Sequence, residues 1–211
     1  MLPGPTNILR CSQCSGLIEQ ETIISGNTIG ASYWTDGKVE APMLPDQPDL
    51  VKCPHCYAVI WIDDLEQVDE CIGSPQAYPE FKQARPFKNL TFKDYILYLK
   101  NGSYPRRHER YIRLMAWWKG NDKRRKAKTD LKKMTKDENV NLNCLMALFD
   151  EEDASDLLLK AEAYRELGNF KAAKELLLKC DPTYFPEACD GIWQLSVEGD
   201  KFVREIMTFT T

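Results

Sequence analysis

The sequence predicts an α+β protein, in which a small β region at the N-terminus precedes a mostly α-helical region. Three observations support this fold class. Two Cys-x-x-Cys pairs enclose an Asp36-Gly37 dipeptide, which favours the tight turn of a β-hairpin. In the run after the second pair, successive side chains are expected to alternate between two faces, as they do in a strand. Further along the chain, apolar residues recur at the three-to-four spacing of helices.

Composition places the chain among ordinary globular proteins. Its 211 residues are enough for one or two domains, and 43% of them are hydrophobic and 28% charged. No run of about 18 apolar residues occurs, so we expect no membrane span. The first residues lack the charged and apolar regions of a signal peptide, and we therefore expect a cytoplasmic protein.

Charge is distributed unevenly along the chain, although the net charge is only −4. Residues 106–136 carry 13 basic and 3 acidic side chains, a net of +10. Residues 1–75, with 3 basic and 11 acidic side chains, carry −8, and residues 137–211, with 7 and 16, carry −9. Because the acidic flanks can neutralise much of the basic centre, this pattern weakens the case for a nucleic-acid-binding protein.

The eight cysteines fall into two groups. Four are scattered singly, and we interpret them as small buried hydrophobic residues in a reducing compartment: Cys71, Cys144, Cys180 and Cys189. The other four form the pairs CSQC and CPHC: Cys11, Cys14, Cys53 and Cys56. Two Cys-x-x-Cys turns can direct four thiolates at one ion and complete a tetrahedral shell of sulfur. The spacing therefore predicts one structural zinc ion (Zn2+) with these four ligands.

Strand-like segments accompany the cysteine pairs. Two of them flank Asp36-Gly37 within the 38 residues that separate the pairs. A third is predicted from the alternation between Ala58 and Ile62. This succession of knuckle, hairpin, knuckle and strand resembles a zinc ribbon over residues 8–66. The resemblance implies that the metal is structural, and many zinc-ribbon proteins bind nucleic acids or other proteins.

Two other uses of these cysteines compete with zinc binding. A rubredoxin-like iron site also has four cysteines, but its knuckles are usually followed at once by glycine, whereas Ser15 and Tyr57 stand here. A thioredoxin-type redox pair requires a strand–helix context, which two matched pairs around a hairpin do not provide. His55 lies between two ligands and is predicted to be an exposed knuckle residue. We therefore favour zinc.

A proline-containing connector is predicted at residues 76–90, between the β region and the helices. Thr91 and Asp94 then have the spacing of a capping box, with aspartate in the place of glutamate. A short helix from Asp94 to Lys100 should follow and end before Gly102.

Two adjacent tryptophans lie in the basic stretch of the chain. One helical face has the spacing of a buried stripe: Tyr111, Leu114, Met115 and Trp118. Another face carries Arg106, Arg110, Arg113 and Trp117. We therefore expect Trp118 to be buried and Trp117 to be half-exposed, stacked against Arg113. A break or a new cap is expected near Gly120, followed by a solvated charged helix or linker.

The basic stretch, residues 106–133, supports two interpretations. Aromatic and basic side chains together can form a platform for RNA or single-stranded nucleic acid. The candidate contacts are Arg106, Arg110, Arg113, Trp117, Lys123, Arg124, Arg125 and Lys126. We favour the second interpretation, an amphipathic core helix followed by a solvated segment, because no named nucleic-acid-binding motif occurs. An acidic protein surface is an equally suitable partner for the basic run.

Small and aromatic residues recur at the spacing of a helical hairpin in the C-terminal part of the chain. They are Ala161, Tyr164, Gly168, Ala173, Leu177, Cys180 and Pro182. This pattern resembles one tetratricopeptide-repeat-like hairpin at residues 155–182, with Ser155 as its cap and Gly168 at its turn. No second copy follows at the 34-residue period, so we expect a compact helical domain and not a repeat array. The resemblance implies an interaction scaffold.

The predicted domains are a zinc ribbon (residues 1–75), a connector (76–90) and a helical domain (91–211). Within the helical domain, further helix is predicted from Pro186 to Val197 and again from Lys201. This additional helix would give the hairpin a surface on which to pack.

Groups that could perform catalysis are few in this sequence. Its two histidines are His55, in a knuckle, and His108, beside two arginines. Walker, GxSxG and HExxH patterns do not occur. We therefore predict that the chain is not an enzyme. The leading prediction is a zinc-stabilised module that binds a protein partner, and the alternative is a nucleic-acid-binding protein.

Overall fold

The protein is described here by a computed structural model. It describes residues 1–125, 127, 133–181 and 183–208. The chain forms two compact units: Met1–Gly30 with Ala41–Leu90, and Ala31–Glu40 with Thr91–Thr210. Strands dominate the first unit and helices the second, so the predicted α+β class is confirmed. Lys126 and Pro182, which belong to the predicted basic run and helical hairpin, lie outside the described residues.

Nine strands and six α-helices occur in the described residues. The strands are β1 (Leu2–Arg10), β2 (Leu17–Ser25), β3 (Ser32–Trp34), β4 (Val39–Glu40), β5 (Leu50–Lys52), β6 (Val59–Trp61), β7 (Glu66–Cys71), β8 (Arg85–Pro86) and β9 (Glu205–Thr208). The helices are α1 (Phe92–Asn101), α2 (Arg106–Arg125), α3 (Lys136–Met146), α4 (Ala154–Glu166), α5 (Phe170–Leu177) and α6 (Pro186–Glu198). Short 3₁₀ helices lie at Ile62–Asp64, Pro75–Ala77 and Pro79–Phe81.

The first unit is built on a four-stranded sheet with the order β7–β1–β2–β8. β1 pairs antiparallel with β2 and with β7, and β8 adds a short parallel edge. A separate antiparallel pair is formed by β5 and β6, the latter being the third strand that the sequence predicted. One buried cluster joins residues of both sheets: Leu9, Cys11, Ile18, Val51, Cys53 and Ile60. Because two of its members are cysteines, each cysteine pair is anchored in the core of this unit.

The proline-containing stretch that precedes the helices belongs to the first unit. Pro75 and Pro79 begin short 3₁₀ helices. Proline is favourable at this position because an N–H group in the first turn would have no acceptor within the helix. Phe81 and Ala84 are buried in a second cluster with Ile8. This stretch therefore contributes core side chains, although its weak periodicity did not indicate them.

The hairpin predicted at Asp36-Gly37 forms, with β3 and β4 as its strands and Gly37 at φ +77°. It does not fold with the strands that surround it in the sequence. Residues 31–40 belong to the second unit, where β9 pairs with β3 as a third antiparallel strand. The physical reason lies in the turn, since the Asp36 side chain is wholly buried and accepts a hydrogen bond from Asn121 of α2.

Helix α2 is continuous over 20 residues, so the break expected near Gly120 was wrong. Glycine is favoured there because a Cβ at Gly120 would lie 2.8 Å from Oε1 of Glu138. The buried positions of α2 are Ile112, Ala116, Trp117, Gly120, Asn121 and Arg124. Trp117 is 4% exposed and Trp118 only partly buried, so the expected roles of the two tryptophans were also wrong. The buried face therefore differs from the predicted stripe, and the polar side chains of Asn121 and Arg124 belong to it.

Capping boxes begin two of the helices. Thr91 and Asp94 form the box predicted for α1. Thr135 and Glu138 form a second one at the start of α3, within the charged segment that was expected to be a solvated helix or linker. In each box the threonine side chain accepts the N3 amide and the acidic side chain accepts the N-cap amide.

Helices α4 and α5 form a hairpin at the predicted position. Gly168 ends α4 with φ at +84°, a conformation that glycine adopts without strain. The amide groups of Gly168 and Asn169 donate to the carbonyl oxygens of Arg165 and Tyr164, each at 2.8 Å. These two bonds form a Schellman motif, which satisfies carbonyl groups at the end of the helix.

Small residues allow the helices of this hairpin to approach each other closely. Ala161 of α4 and Ala173 of α5 are both fully buried. Ala161 belongs to a buried cluster against which Tyr164 packs, and Ile192 of α6 belongs to the same cluster. No helix in the described part of the chain is both long and apolar enough to cross a membrane.

Two details of this region differ from the sequence prediction. Asp153, and not Ser155, caps α4, because its carboxylate accepts from two backbone amides. The helix predicted from Lys201 was wrong, since Glu205–Thr208 is the strand β9. Pairing with β3 supplies the hydrogen-bond partners that favour a strand there.

Candidate metal centre

The first cysteine pair lies in the turn between β1 and β2. Cys11 N–H donates to the carbonyl oxygen of Gly16 at 3.0 Å, and Ser15 N–H donates to that of Cys11 at 2.9 Å. The amide of Gln13 approaches Cys11 Sγ to 3.4 Å. These contacts form a knuckle in which a backbone N–H group faces the sulfur.

The second pair repeats this geometry between β5 and β6. Cys53 N–H donates to Ala58 O at 2.9 Å, and Tyr57 N–H donates to Cys53 O at 3.1 Å. The amide of His55 approaches Cys53 Sγ to 3.4 Å. Both pairs thus lie in turns between antiparallel strands, which is not the strand–helix context of a thioredoxin-type redox motif.

Each knuckle ends in a residue with left-handed backbone conformation. Ser15 has φ +59° and Tyr57 has φ +63°. Glycine adopts this conformation freely, whereas other residues are strained by about 1–2 kcal/mol. The knuckles therefore have the backbone geometry that glycine favours. The absence of glycine after each knuckle, which favoured zinc over iron in the sequence, does not alter this geometry.

The four sulfur atoms of the two knuckles converge. Cys11 Sγ lies 3.9 Å from Cys56 Sγ, and Cys14 Sγ lies 3.7 Å from Cys53 Sγ. All four lie within 4.8 Å of one another. A tetrahedral site with zinc–sulfur bonds of about 2.3 Å has sulfur atoms about 3.8 Å apart. The four cysteines predicted as ligands can therefore coordinate one metal ion.

A histidine connects the two knuckles. Nε2 of His55 lies 2.8 Å from the carbonyl oxygen of Leu17, directly after the first knuckle. A Cβ at Gly16 would approach the His55 ring to 2.5 Å, so the contact requires glycine at that position. His55 is partly buried by this packing and not an exposed knuckle residue as predicted.

The environment of the thiols differs from one to another. Cys11 and Cys53 are buried, whereas Cys14 and Cys56 are exposed. Burial raises the pKa of Cys53 to about 12. Burial also acts to raise the pKa of Cys11, but hydrogen bonds from the amides of Gln13 and Cys14 bring it to about 7. Four thiols this close together ionise fully only when a bound cation balances their charge.

In the second unit, two residues of the predicted basic run bind one carboxylate. Arg124, which is 4% exposed, donates to the two oxygens of Glu138 at 3.3 and 3.0 Å. Lys123 Nζ lies 2.8 Å from Glu138 Oε1, and its side chain is 44% exposed. Burial acts to raise the pKa of Glu138, but Arg124, Lys123 and Thr135 lower it to about 2. Arg124 and Lys123 are therefore both paired with a carboxylate of their own chain.

The Arg125 side chain is 2% exposed and lies beside the turn of the β3–β4 hairpin. Its guanidinium donates to Asp36, and also to Asp122 Oδ1 at 2.9 Å. It lies over the ring of Trp34, 5.3 Å from the centroid. Burial raises the pKa of Asp36, and Arg125 and Asn121 offset this only in part.

Trp117 is enclosed by the same network. Its Nε1 donates to Glu166 Oε2 at 3.0 Å, and Asn121 Nδ2 donates to Glu166 Oε1 at 2.9 Å. Burial raises the pKa of Glu166, and the nearby carboxylates of Glu162 and Asp36 raise it further. In this arrangement Trp117 offers no face for stacking on a base.

The three arginines predicted as contacts at the start of α2 also have acceptors in the second unit. They are Arg106 with Leu148 O, Arg110 with Asp156, and Arg113 with Glu109 and Asn141. Arg106 is exposed, whereas the other two are partly buried. Among the predicted contacts that the structure describes, five cations thus have acidic partners in their own chain: Arg110, Arg113, Lys123, Arg124 and Arg125.

The acidic partners were not identified from the sequence. Asp36 lies 89 residues from Arg125, Glu166 lies 45 from Asn121, and Glu138 lies 14 from Arg124. The only sequence feature that indicated such partners was the alternation of acidic and basic stretches. This alternation predicts ion pairs within the chain but does not show which residues form them. Comparison with protein families, with curated proteins and with solved structures found no match for this chain.

Proposed function

We propose that this chain is a protein-interaction module whose first unit is a zinc ribbon stabilised by one structural zinc ion. The observation that carries the metal assignment is the convergence of four thiols within 4.8 Å of one another, with two sulfur–sulfur distances of 3.7 and 3.9 Å. Cys11, Cys14, Cys53 and Cys56 would hold the ion. Zinc supplies no redox chemistry, and in this site it would cross-link the β1–β2 hairpin to the β5–β6 hairpin.

A non-catalytic role is supported by the chemistry of the ligand set. Four thiolates fill a tetrahedral shell, whereas catalytic zinc keeps a position for water or substrate. The histidine nearest to the cluster is His55, whose Nε2 already contacts Leu17 O. No step of acid–base chemistry is therefore assigned to this centre.

A protein partner is supported by apolar side chains on the C-terminal helices. Trp193 and Val197 lie one turn apart on α6 and are 37% and 59% exposed. Leu178, directly after α5, is 75% exposed. Exposed apolar groups on adjacent helices are typical of protein-binding surfaces, as the resemblance to a tetratricopeptide-like hairpin also implies.

The nucleic-acid alternative has less support from the geometry. Trp117 is 4% exposed, and the Arg124 and Arg125 side chains are 3% and 2% exposed, each with carboxylate partners. Phosphate binding requires cations that can reach the backbone of the nucleic acid. We therefore retain the protein-partner proposal and use nucleic acid as the competing outcome of the test below.

The metal part is tested by elemental analysis and visible absorption of the purified protein. We expect one zinc per chain and no visible absorption, since zinc has a filled d shell. Cys53→Ala should lose the metal. Cys71→Ala, which removes a buried thiol outside the cluster, should retain it. Visible absorption from bound iron, or unchanged zinc content in Cys53→Ala, would contradict the proposal.

The partner part is tested with a photo-crosslinking residue at position 197, on α6. Leu97, which is 59% exposed on α1, gives a matched control position. In an extract of the source cell we expect a protein adduct from position 197 and none from 97. Binding of a labelled single-stranded RNA with a steep salt dependence, together with no adduct at 197, would replace this proposal with the nucleic-acid alternative.

A further inference from the structure

We propose that Cys180 and Cys189 of the second unit form a reversible disulfide by exchange with a low-molecular-weight disulfide such as oxidised glutathione. The sequence interpretation treated both as buried hydrophobic residues, but both are only partly buried. Neither belongs to the metal cluster, so this inference does not depend on the zinc proposal. It assigns a covalent modification, and it does not depend on the identity of a protein partner either.

The fold brings these two cysteines together at the junction of α5 and α6. Cys180 follows the end of α5, and its Sγ lies 3.7 Å from the carbonyl oxygen of Leu176. Cys189 lies in the first turn of α6, where its N–H donates to the carbonyl oxygen of Phe185 at 2.9 Å. Both side chains pack against the buried cluster to which Ile192 belongs. The two cysteines are therefore anchored on one core before any bond forms between them.

The thiol groups of this pair interact directly. Burial and the neighbouring Cys189 thiol together raise the pKa of Cys180 to about 11. Burial also raises the pKa of Cys189, and the nearby Asp190 carboxylate acts in the same direction, but a hydrogen bond from the Cys180 thiol partly offsets both. The start of a helix favours a thiolate as well. Cys189 is therefore the thiol that ionises first and attacks.

The exchange consists of two successive displacements. The Cys189 thiolate attacks one sulfur of oxidised glutathione, which forms a mixed disulfide and releases one glutathione thiolate. The Cys180 thiol then loses its proton to the solvent, and its thiolate attacks the Cys189 sulfur and releases the second glutathione. The two cysteines thus lose two protons and two electrons, and one molecule of oxidised glutathione becomes two of reduced glutathione.

Proximity favours the closed disulfide over two separate mixed disulfides. The second displacement is intramolecular, and its two sulfur atoms already interact in the reduced chain. A disulfide carries no charge, so the burial that disfavours the thiolates does not disfavour the product. Burial instead slows the reaction, because the thiolate is the attacking species. We therefore expect exchange that is slow and, with excess oxidised glutathione, nearly complete.

The test is mass mapping of the zinc-loaded full chain after incubation with excess oxidised glutathione at about pH 8. The remaining thiols are alkylated, and the chain is cleaved before aspartate without reduction. This cleavage separates the pair, because Asp181 follows Cys180 and Asp190 follows Cys189. We expect the two peptides to be joined by a disulfide in most chains, with the zinc content unchanged.

The pH dependence of the rate tests the thiolate mechanism. Below the pKa of the attacking thiol, the thiolate fraction rises about tenfold for each pH unit. The linkage should therefore form about tenfold faster at about pH 8 than at about pH 7.

Serine variants distinguish the roles of the two cysteines. Cys180→Ser should stop at a mixed disulfide between Cys189 and glutathione. Cys189→Ser should accumulate little mixed disulfide at Cys180 over the same time. Cys144→Ser changes another partly exposed thiol, on α3, and should leave the linkage unchanged.

Three results would overturn the proposal. The first is a natural sequence in which Cys180 and Cys189 stay free or carry separate glutathione groups. The second is linkage of either cysteine to a cysteine of the metal cluster with loss of zinc, which would assign the oxidation to that cluster. The third is linkage between two chains only, which would assign it to contact between copies. Mapping of the natural sequence decides among these results even if a serine variant fails to fold.

Discussion

The two units of this protein both contain a centre of ionisable groups, but the groups differ in where their counter-charge comes from. In the first unit, four thiols converge, and we propose that a zinc ion balances them. In the second unit, the chain itself supplies both signs: Arg124 binds Glu138, and Arg125 binds Asp36. On this proposal the first centre depends on a supply of metal, whereas the second depends on the protonation state of its carboxylates.

Removing the metal should have the largest effect and should be confined to the first unit. Structural zinc contributes apparent binding free energies of about 10–16 kcal/mol in small folds of this kind. In Cys53→Ala, or after chelation, we expect the backbone amides of β1 and β2 to lose hydrogen-exchange protection. Those of α4 and α5 should keep it, because these helices belong to the other unit.

A matched control separates metal loss from the loss of a buried thiol. Cys71 is 5% exposed in the first unit and is not in the metal cluster. Cys71→Ala should destabilise this unit by about 1 kcal/mol, the usual size for one substitution. Equal effects of Cys53→Ala and Cys71→Ala would show that no metal stabilises the unit.

In the second unit, the two cations that share Glu138 should differ strongly in their contributions. Arg124→Met leaves a buried carboxylate without its main partner, and we expect a loss of about 3–5 kcal/mol. Lys123→Met changes a partner that is 44% exposed, so we expect a loss of at most about 1 kcal/mol. Urea unfolding of the zinc-loaded protein, followed by helical ellipticity, measures both. Similar losses would mean that burial does not distinguish these ion pairs.

The same carboxylate predicts an acid-sensitive step in the second unit. The pKa of Glu138 is about 2 in the folded chain, against an ordinary value of 4.5. Its contribution is therefore complete above about pH 4.5 and is lost as the pH falls towards 2, in total about 3 kcal/mol. Glu138→Gln should be less stable than the natural sequence near pH 6 and should approach it near pH 2. A constant difference across this range would contradict the assignment.

The smallest expected effect lies in the knuckle of the first unit. Ser15→Gly relieves a left-handed conformation but also increases the freedom of the unfolded chain. We expect a net stabilisation of about 0.5–1 kcal/mol in the zinc-loaded protein, measured by chemical unfolding. Ser12→Gly, in the same turn but without a positive φ, should be neutral or slightly destabilising. Destabilisation by both substitutions would show that the strain at Ser15 is not relieved by glycine.

Features of short range were predictable from the sequence. The metal ligands follow from two Cys-x-x-Cys turns, and the α1 capping box follows from residues three apart. The Gly168 turn and the β3–β4 hairpin also depend on neighbouring residues alone. Each knuckle, cap and turn is completed within a few residues, so the local sequence carries its signal. The meeting of the two knuckles joins cysteines 39 and 45 residues apart and was predicted from their matched spacing alone.

Features of long range were decided by the tertiary structure. The burial of Trp117 depends on Glu166, which is 49 residues away, and the placement of the hairpin depends on the contact between Asp36 and Asn121, which are 85 residues apart. Periodicity predicted a helix in this stretch but the wrong buried face, because that face includes Gly120, Asn121 and Arg124, which hydropathy assigns to solvent. A polar side chain is stable in a core only when its partner is also there. The sequence by itself determined which residues can bind a metal, whereas only the fold decided which charges are paired inside the protein.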